Sequence, residues 1–425
     1  MKTTITLGRK ITSCVLMWAL LACLLLTGCG TNRKGGATDT KNEFTTDTKN
    51  EFEPESMTER DSLSYFKEER IAVGWNLGNA LDAYNQGVSR ETAWGNPPIT
   101  EDIFNGVKAA GYDIVRIPVT WMGHIGGAPD YHIDEAFLRR VAEVVGYAHS
   151  AGLKAIINIH HDGSVEKNGS VVKDNGWLSL NTARKSDEGM KQVTAQFERV
   201  WTQIATYFKN YGDYLMFEAF NELHDGNWGW GSEFDQKSQY EILNKWTQVF
   251  VDAVRGVGGN NKSRFLIIVG YCAVPKHTTA TYFKLPKDTD NAANKLIVAV
   301  HYYDPYEFCI AGTRHNWGSA ADKKQVDADF KTLANTFVTG KLTPVIIGES
   351  GVVWHEGYEQ TRLDYLSYVY GKAHDLGLVP IYWDNGAFDS DGENFGLFYR
   401  DDGEPNSPES QMVIETMVQA CGESN

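Results

Sequence analysis

Eight short apolar runs, each rich in Val and Ile, recur along the chain with amphipathic stretches between them. They are Ile71–Gly78, Tyr112–Val119, Lys154–His161, Tyr214–Glu222, Arg264–Gly270, Lys295–Tyr303, Pro344–Ser350 and Val379–Gly386. Their starts lie 31 to 60 residues apart. That is too far for a hairpin and enough for a strand, a crossover helix and a return to the same sheet. The intervening segments carry the helical period. In Ala136–Ala151, for example, Phe137, Val141, Val144, Val145 and Ala148 fall on one face. Eight strand–helix units favour a closed (β/α)₈ (TIM) barrel, α/β in class, forming a single domain over residues 63–425. The alternative, an open doubly wound sheet, usually carries a glycine-rich phosphate loop after its first strand, and Gly74-Trp75-Asn76-Leu77-Gly78-Asn79 is not one.

The polar residues repeat their position in these units. Arg116, His160, His161, Asn221, Glu222, His301, Tyr303, Glu349 and Trp383 all stand at or near the C-terminal end of a run. In a barrel those ends converge on one mouth, where barrel active sites lie. Two of the residues are carboxylates, Glu222 on the fourth run and Glu349 on the seventh. A facing pair of this kind suits glycoside hydrolysis, with one proton donor and one nucleophile or base. Alternation along a strand puts Glu218, Phe220 and Glu222 on one face and Asn221 on the other. Asn221 must then reach the site through an irregular strand end, and Glu218 reads as a buried, hydrogen-bonded structural carboxylate. A metal site built from His160, His161, His301 and Glu349 is the rival chemistry. Adjacent histidines on a strand point oppositely, no HExxH is present, and no metal or other cofactor is expected.

The motifs NEL (221–223), GESG (348–351), HYYDPY (301–306), NIHHDG (158–163), RIPVTW (116–121) and GWNLGN (74–79), in this order on eight runs, resemble family 5 of the glycoside hydrolases. The likeness covers roughly residues 71–400. It implies a retaining enzyme with Glu222 as acid/base and Glu349 as nucleophile. It also implies that Asn221 bonds the sugar 2-OH, that Tyr303 donates to Glu349, and that Arg116 holds that carboxylate. His160, His161 and His301 would line the subsite and Trp383 would lie under the sugar. Leu223 replaces a proline common at this point in the family, which removes a stiff turn. ETAWGNP (91–97) and FEAFNE (217–222) look like the endo-β-1,4-glucanase and xyloglucanase branch. The implied substrates are cellulose, mixed-linkage glucan or xyloglucan, with mannan or xylan as alternatives.

Aromatic residues cluster in the loops after the strands: Trp94, Trp177, Trp228, Trp230, Trp317 and Trp354. Each is a candidate sugar platform or an ordinary packing residue, and Asn79 is a candidate sugar contact. A formal charge of −15 argues against a nucleic-acid partner, which would need a basic face. A glycan-binding protein on an inactive barrel is the alternative from another class, but both central glutamates are present.

The N-terminus reads as an export signal over residues 1–28. Lys2, Arg9 and Lys10 precede an apolar run, Ile11–Leu26, that ends in Leu26-Thr27-Gly28-Cys29. That tetrapeptide resembles a bacterial lipobox, which would make Cys29 the lipidated N-terminus and attach the protein to the outer membrane or cell surface. A plain signal peptide or an uncleaved anchor are the alternatives. The sixteen residues of this run span only ~24 Å as a helix, against a hydrocarbon core of ~30 Å. Residues 29–62 read as a flexible tether: Leu, Ile and Val are missing from Gly30 to Ser62, and TDTKNEF occurs at 38–44 and again at 46–52. Cys272, Cys309 and Cys421 would remain in the mature protein, with one disulfide among them possible. A monomer is the expectation.

Overall fold

All eight runs form strands, and the strands close on themselves. The computed structural model describes residues 52–168, 171–229, 235–289, 294–390 and 392–422. The barrel strands are β1 (Gly74–Leu77), β2 (Ile114–Ile117), β3 (Lys154–Asn158), β4 (Leu215–Glu218), β5 (Leu266–Val269), β6 (Leu296–Tyr302), β7 (Val345–Ser350) and β8 (Leu378–Asp384). Each pairs in parallel with its neighbours, and β1 pairs with both β2 and β8, completing the ring. Strands buried on both faces must be apolar throughout, which is why they appear as unbroken runs rather than alternating ones.

The main helices are α1 (Ser62–Glu68), α2 (Glu101–Ala109), α3 (Glu135–Ser150), α4 (Asp187–Tyr207), α5 (Lys237–Val257), α6 (Ala320–Leu333), α7 (Glu359–Asp375) and α8 (Pro408–Gly422). α3 buries Phe137, Leu138, Val141, Val144, Val145 and Ala148 against the strands, and the Asp134 carboxylate caps its first turn by accepting from Ala136 N. Ser186 caps α4, and a reciprocal Ser319–Asp322 capping box starts α6. Among the described residues, the crossover after β5 departs from the pattern, with the single turn Pro275–Thr278 and no long helix.

Residues 52–61, read from the sequence as the end of the tether, belong to the folded unit, which begins at Phe52. Their backbone is held across the barrel floor. Glu55 N donates to Asn210 O, Asn260 Nδ2 to Glu55 O, and Lys295 Nζ to Thr58 O. The segment lacks Leu, Ile and Val, and docks mainly by hydrogen bonds, with Glu55 Oε2 accepting from Gly212 N and the Phe52 ring lying edge-on to Tyr211. The expected signal peptide, Cys29 and the rest of the tether lie outside the described residues. No helix among the described residues is long and apolar enough to cross a membrane. Cys272, Cys309 and Cys421 are buried free thiols.

Candidate active site

Arg116, at the end of β2, organises the barrel mouth. Its side chain is fully buried, and a guanidinium there must be matched by acceptors or not be charged at all. It is matched on every side. Nε donates to Glu218 Oε2 at 2.8 Å and Nη2 to Asn221 Oδ1 at 2.7 Å. Nη1 donates to Glu349 Oε1 at 2.8 Å and to Asn76 Oδ1 at 3.1 Å. Tyr303 OH donates to the other oxygen of Glu349 at 3.2 Å. Arg116 and Tyr303 thus both hydrogen-bond Glu349.

Glu349 reaches the mouth through a bulge. Val300 faces Ile347, but the next residue of β6, His301, faces Glu349, so Gly348 is an extra residue in β7. Asn76 Nδ2 catches the displaced Gly348 carbonyl at 2.8 Å. A bulge of this kind bends its strand and re-aims the following side chain.

Glu222 is held differently. β4 ends at Glu218, so the strict alternation expected over 218–222 does not apply. Phe220 turns outward beside Phe197 of α4, and Asn221 N donates to Ile159 O at 2.9 Å, drawing both Asn221 and Glu222 to the mouth. Leu223 keeps this loop in place without a proline. It is buried against Gly163, where any β-carbon would collide with its Cδ2. Glu222 Oε1 lies 2.7 Å from His301 Nδ1, which is 3.5 Å from Glu349 Oε2. An oxygen of Glu222 and one of Glu349 lie within 4.8 Å of each other. That spacing falls on the side of retaining glycosidases, about 5–5.5 Å between carboxyls, rather than the ~6.5–9.5 Å of inverting ones.

The two carboxyls are electrostatically unequal. Burial raises both. Arg116, bonded directly to Glu349, opposes the rise there, whereas at Glu222 it acts only from a distance and the carboxyl is pushed up to about 7. Glu222 therefore keeps its proton near neutrality beside a carboxylate stabilised by an arginine, a division of labour suited to an acid and a nucleophile.

Residues 81–389 match the model of the cellulase family, glycosyl hydrolase family 5. The chain is 35% identical to endoglucanase A of Paenibacillus barcinonensis, across 82% of this chain and 88% of that protein. The chain belongs to glycosyl hydrolase family 5. Among solved structures it resembles a broad-specificity endoglucanase from Bacteroides salanitronis, with 44% identity, TM-score 0.76, and coverage of 83% and 94% of the two chains. A family 5 xyloglucanase from Paenibacillus pabuli is 35% identical with TM-score 0.73, over 83% and 99%.

The family 5 site also brings together residues that the sequence reading sets apart. β3 ends at Asn158, and the backbone turns at His160 (φ −94°, ψ −84°) into a single 3₁₀ turn starting at His161. The two imidazoles are therefore neighbours, 4.4 Å apart and near-perpendicular, instead of pointing to opposite faces. With Asp82 they form a cluster whose donor atoms lie within 4.8 Å of one another, and Glu222, His301 and Glu349 form a second. The carboxylates of both are already engaged. Asp82 accepts from the amides of Asn79 and Ala80, and Glu349 accepts from Arg116 and Tyr303. His160 is buried and held neutral by desolvation, with Nδ1 3.2 Å from Asn158 Nδ2.

The aromatic candidates divide. Trp383 lies parallel to His160, with centroids 5.9 Å apart. His161 follows, and then Tyr84 and the exposed Trp94, whose rings lie 5.7 and 5.4 Å from His161. This row leads from the Glu222–Glu349 pair to the surface. Trp228 is exposed and stacks on His224 at 3.9 Å, beyond Glu222. Trp317 is no platform: it is buried against Tyr365 and Tyr368. Trp177 is half-buried and donates to Asp162, which is buried and pushed up to about 7. Trp354 donates to Glu409. Trp230 lies outside the described residues. Asn79 is held through its backbone in a left-handed turn (φ 55°).

Two buried residues escaped the sequence reading. Asn76 ties Arg116 to the bulge, and Asn158 donates to Glu218 at 2.8 Å. The signal was present, since each is a polar residue ending an apolar run within a quoted motif.

Proposed function

We propose that this chain is a retaining endo-β-1,4-glucanase acting on plant cell-wall β-glucans. The observation that carries this is the close pair of unequal glutamates beside an aromatic row open to solvent. Glu349 attacks the anomeric carbon while Glu222 protonates the departing glycosidic oxygen, leaving a glycosyl–enzyme ester. Glu222, now a carboxylate, takes a proton from water as that water attacks the anomeric carbon and releases Glu349. Asn221, fixed by Arg116, is placed to bond the sugar 2-OH. Trp383 supports the sugar ring, with His160, His161 and Asn79 around it. The exposed Trp94 carries the row out to the surface, which suits a sugar chain running past the pair rather than ending at it.

The endoglucanase and xyloglucanase named above support a β-1,4-glucan backbone as substrate. The test is hydrolysis by the soluble chain 30–425 of carboxymethylcellulose, mixed-linkage glucan, xyloglucan, xylan and glucomannan, with NMR of the first-formed anomer. Release from a glucan with a β-anomer product is expected. Activity on mannan or xylan alone would overturn the substrate, an α-anomer the mechanism, and silence throughout would favour a glycan-binding role.

The lipobox at Leu26–Cys29 supports a lipid-anchored, exported protein, monomeric and tethered by the polar segment that follows. Gly30-Thr31-Asn32-Arg33-Lys34 after the cysteine lacks acidic residues, and the anchor is assigned to the outer membrane or cell surface. Radiolabelled palmitate should enter the wild-type protein in a bacterial host and fail to enter Cys29→Ser; equal labelling of both would remove the anchor.

A further inference from the structure

Directly beneath the catalytic pair, two buried polar atoms have no hydrogen-bond partner among the described residues. They are Oε1 of Glu218 and Nε2 of His301. Their side chains are 0% and 3% exposed. In each residue the other polar atom is committed: Glu218 Oε2 to Arg116 and Asn158, and His301 Nδ1 to Glu222. Buried groups of this strength are rarely left unmet, and where two face one small space a water commonly bridges them.

The space is marked by Gly348, the bulge residue. A β-carbon there would sit 3.4 Å from His301 Nε2, 3.5 Å from its Cδ2 and 3.7 Å from Glu218 Oε1. Those are ordinary contact distances, so packing does not demand a glycine. A methyl group would nonetheless cover both orphaned polar atoms. The glycine leaves room for a polar guest.

We infer that Glu218 and His301 share a water molecule over Gly348, and that Glu218 is thereby a positioning residue for the acid/base Glu222. This rests on the assignment of Glu222 as the acid/base. The carboxylate of Glu218 accepts from the water, and the water accepts from Nε2–H of His301. With its proton on Nε2, the imidazole turns a lone pair at Nδ1 toward Glu222. Nδ1 then accepts from the protonated carboxyl, which favours the acid form for the first step. Once Glu222 has given its proton to the leaving oxygen, its carboxylate faces that lone pair and is the stronger base for the second. His301 itself neither gains nor loses a proton. Burial, which lowers His301 to about 4, keeps it neutral through the cycle. The other ionisable groups around this pair are Glu349 from β7, Arg116 from β2, Tyr303 after β6, His160 and His161 after β3, and Cys272 after β5. Of the atoms nearest a β-carbon at Gly348, the only carboxylate oxygen is Glu218 Oε1.

Gly348→Ala tests the link without touching the Glu218–Arg116 ion pair. Its melting temperature should stay close to the parent's. The alkaline limb of its kcat/KM profile should move to lower pH by about half a unit or more, with kcat down about tenfold. Glu218→Gln should move the limb the same way, because it removes the charge that fixes the His301 tautomer. A folded Gly348→Ala enzyme with an unmoved alkaline limb overturns the inference, since simple loss of packing would not explain a shift and no shift would remain to explain. Should both variants fail to fold, the imidazole ¹⁵N shifts of the unmutated protein decide. An Nε2–H tautomer at His301 supports the link, and an Nδ1–H tautomer sinks it. Glu222→Gln separates the underlying assignment: if that variant keeps the parent's alkaline limb, Glu222 is not the acid/base. If it loses the limb while Gly348→Ala leaves it unmoved, only the role of Glu218 fails.

Discussion

Arg116 at the barrel mouth and Arg264 at its floor are both completely buried, and they meet the cost of a buried cation in opposite ways. Arg116 is surrounded by side chains, including two carboxylates. Arg264, just before β5, donates to the main-chain carbonyls of Phe208, Tyr211, Gly212 and Leu215 and to Asn261 Oδ1. With no carboxylate in contact, burial drags its guanidinium down to about 9, still charged at neutral pH. Carbonyl dipoles are fixed by the fold and do not titrate, so the floor cation serves only to seal strand starts. One of the carboxylates bonded to Arg116, Glu349, faces the open mouth beside Glu222, so the mouth cation can serve chemistry. A buried arginine is structural or catalytic according to what neutralises it.

That contrast can be broken by substitution. Glu349→Gln should cost the most, a fall in kcat of about 10⁴-fold or more with the circular dichroism spectrum and melting temperature kept near the parent's. Comparable loss of fold would mean that the mouth is as structural as the floor. At the floor, Arg264→Met strands four carbonyls and Asn261, and should cost about 3–5 kcal/mol in denaturant unfolding. The kcat of the molecules that remain folded should be unaltered, and a parallel fall would tie the floor to catalysis.

Proton exchange at the mouth gives a subtler check. Glu222 must be protonated to act as acid and loses its proton as pH rises through about 7, so kcat/KM should fall on the alkaline side with a midpoint near 7. A flat profile to pH 9 would contradict this division between the glutamates. The smallest effect is expected farthest from both arginines. Trp94→Ala should raise KM on a soluble glucan about fivefold, roughly 1 kcal/mol of ring contact, with kcat preserved. An unchanged KM would remove Trp94 from the cleft.

The sequence carried more of the fold than of the site. Eight doubly buried strands cannot be polar, so their runs were plain, and parallel pairing followed from the spacing between them. Arg116, Glu222, His301, Tyr303 and Glu349 were legible because polar residues at the ends of apolar runs have little structural reason to be there. Asn76 and Asn158 carried the same mark and were passed over. Trp317 stayed undecided between platform and packing because a tryptophan in a loop looks the same whether it meets solvent or two tyrosines of α7. Residues 52–61 misled because docking that rests mostly on hydrogen bonds leaves no hydrophobic pattern.

The sequence by itself determined the barrel, the convergence of its polar strand ends and the identity of the two central glutamates. These depend on period, burial and residue type, which are local or additive properties of a chain. Tertiary structure alone decided where β4 stops, that His160 and His161 meet, and that Gly348 bulges so that Glu349 turns inward. Each of those is a one-residue departure from regular geometry, stabilised by a partner far away in the chain: Ile159 for Asn221, and Asn76 for Gly348. A strand's own residues do not encode such a departure, because the hydrogen bond that stabilises it exists only after the barrel has closed.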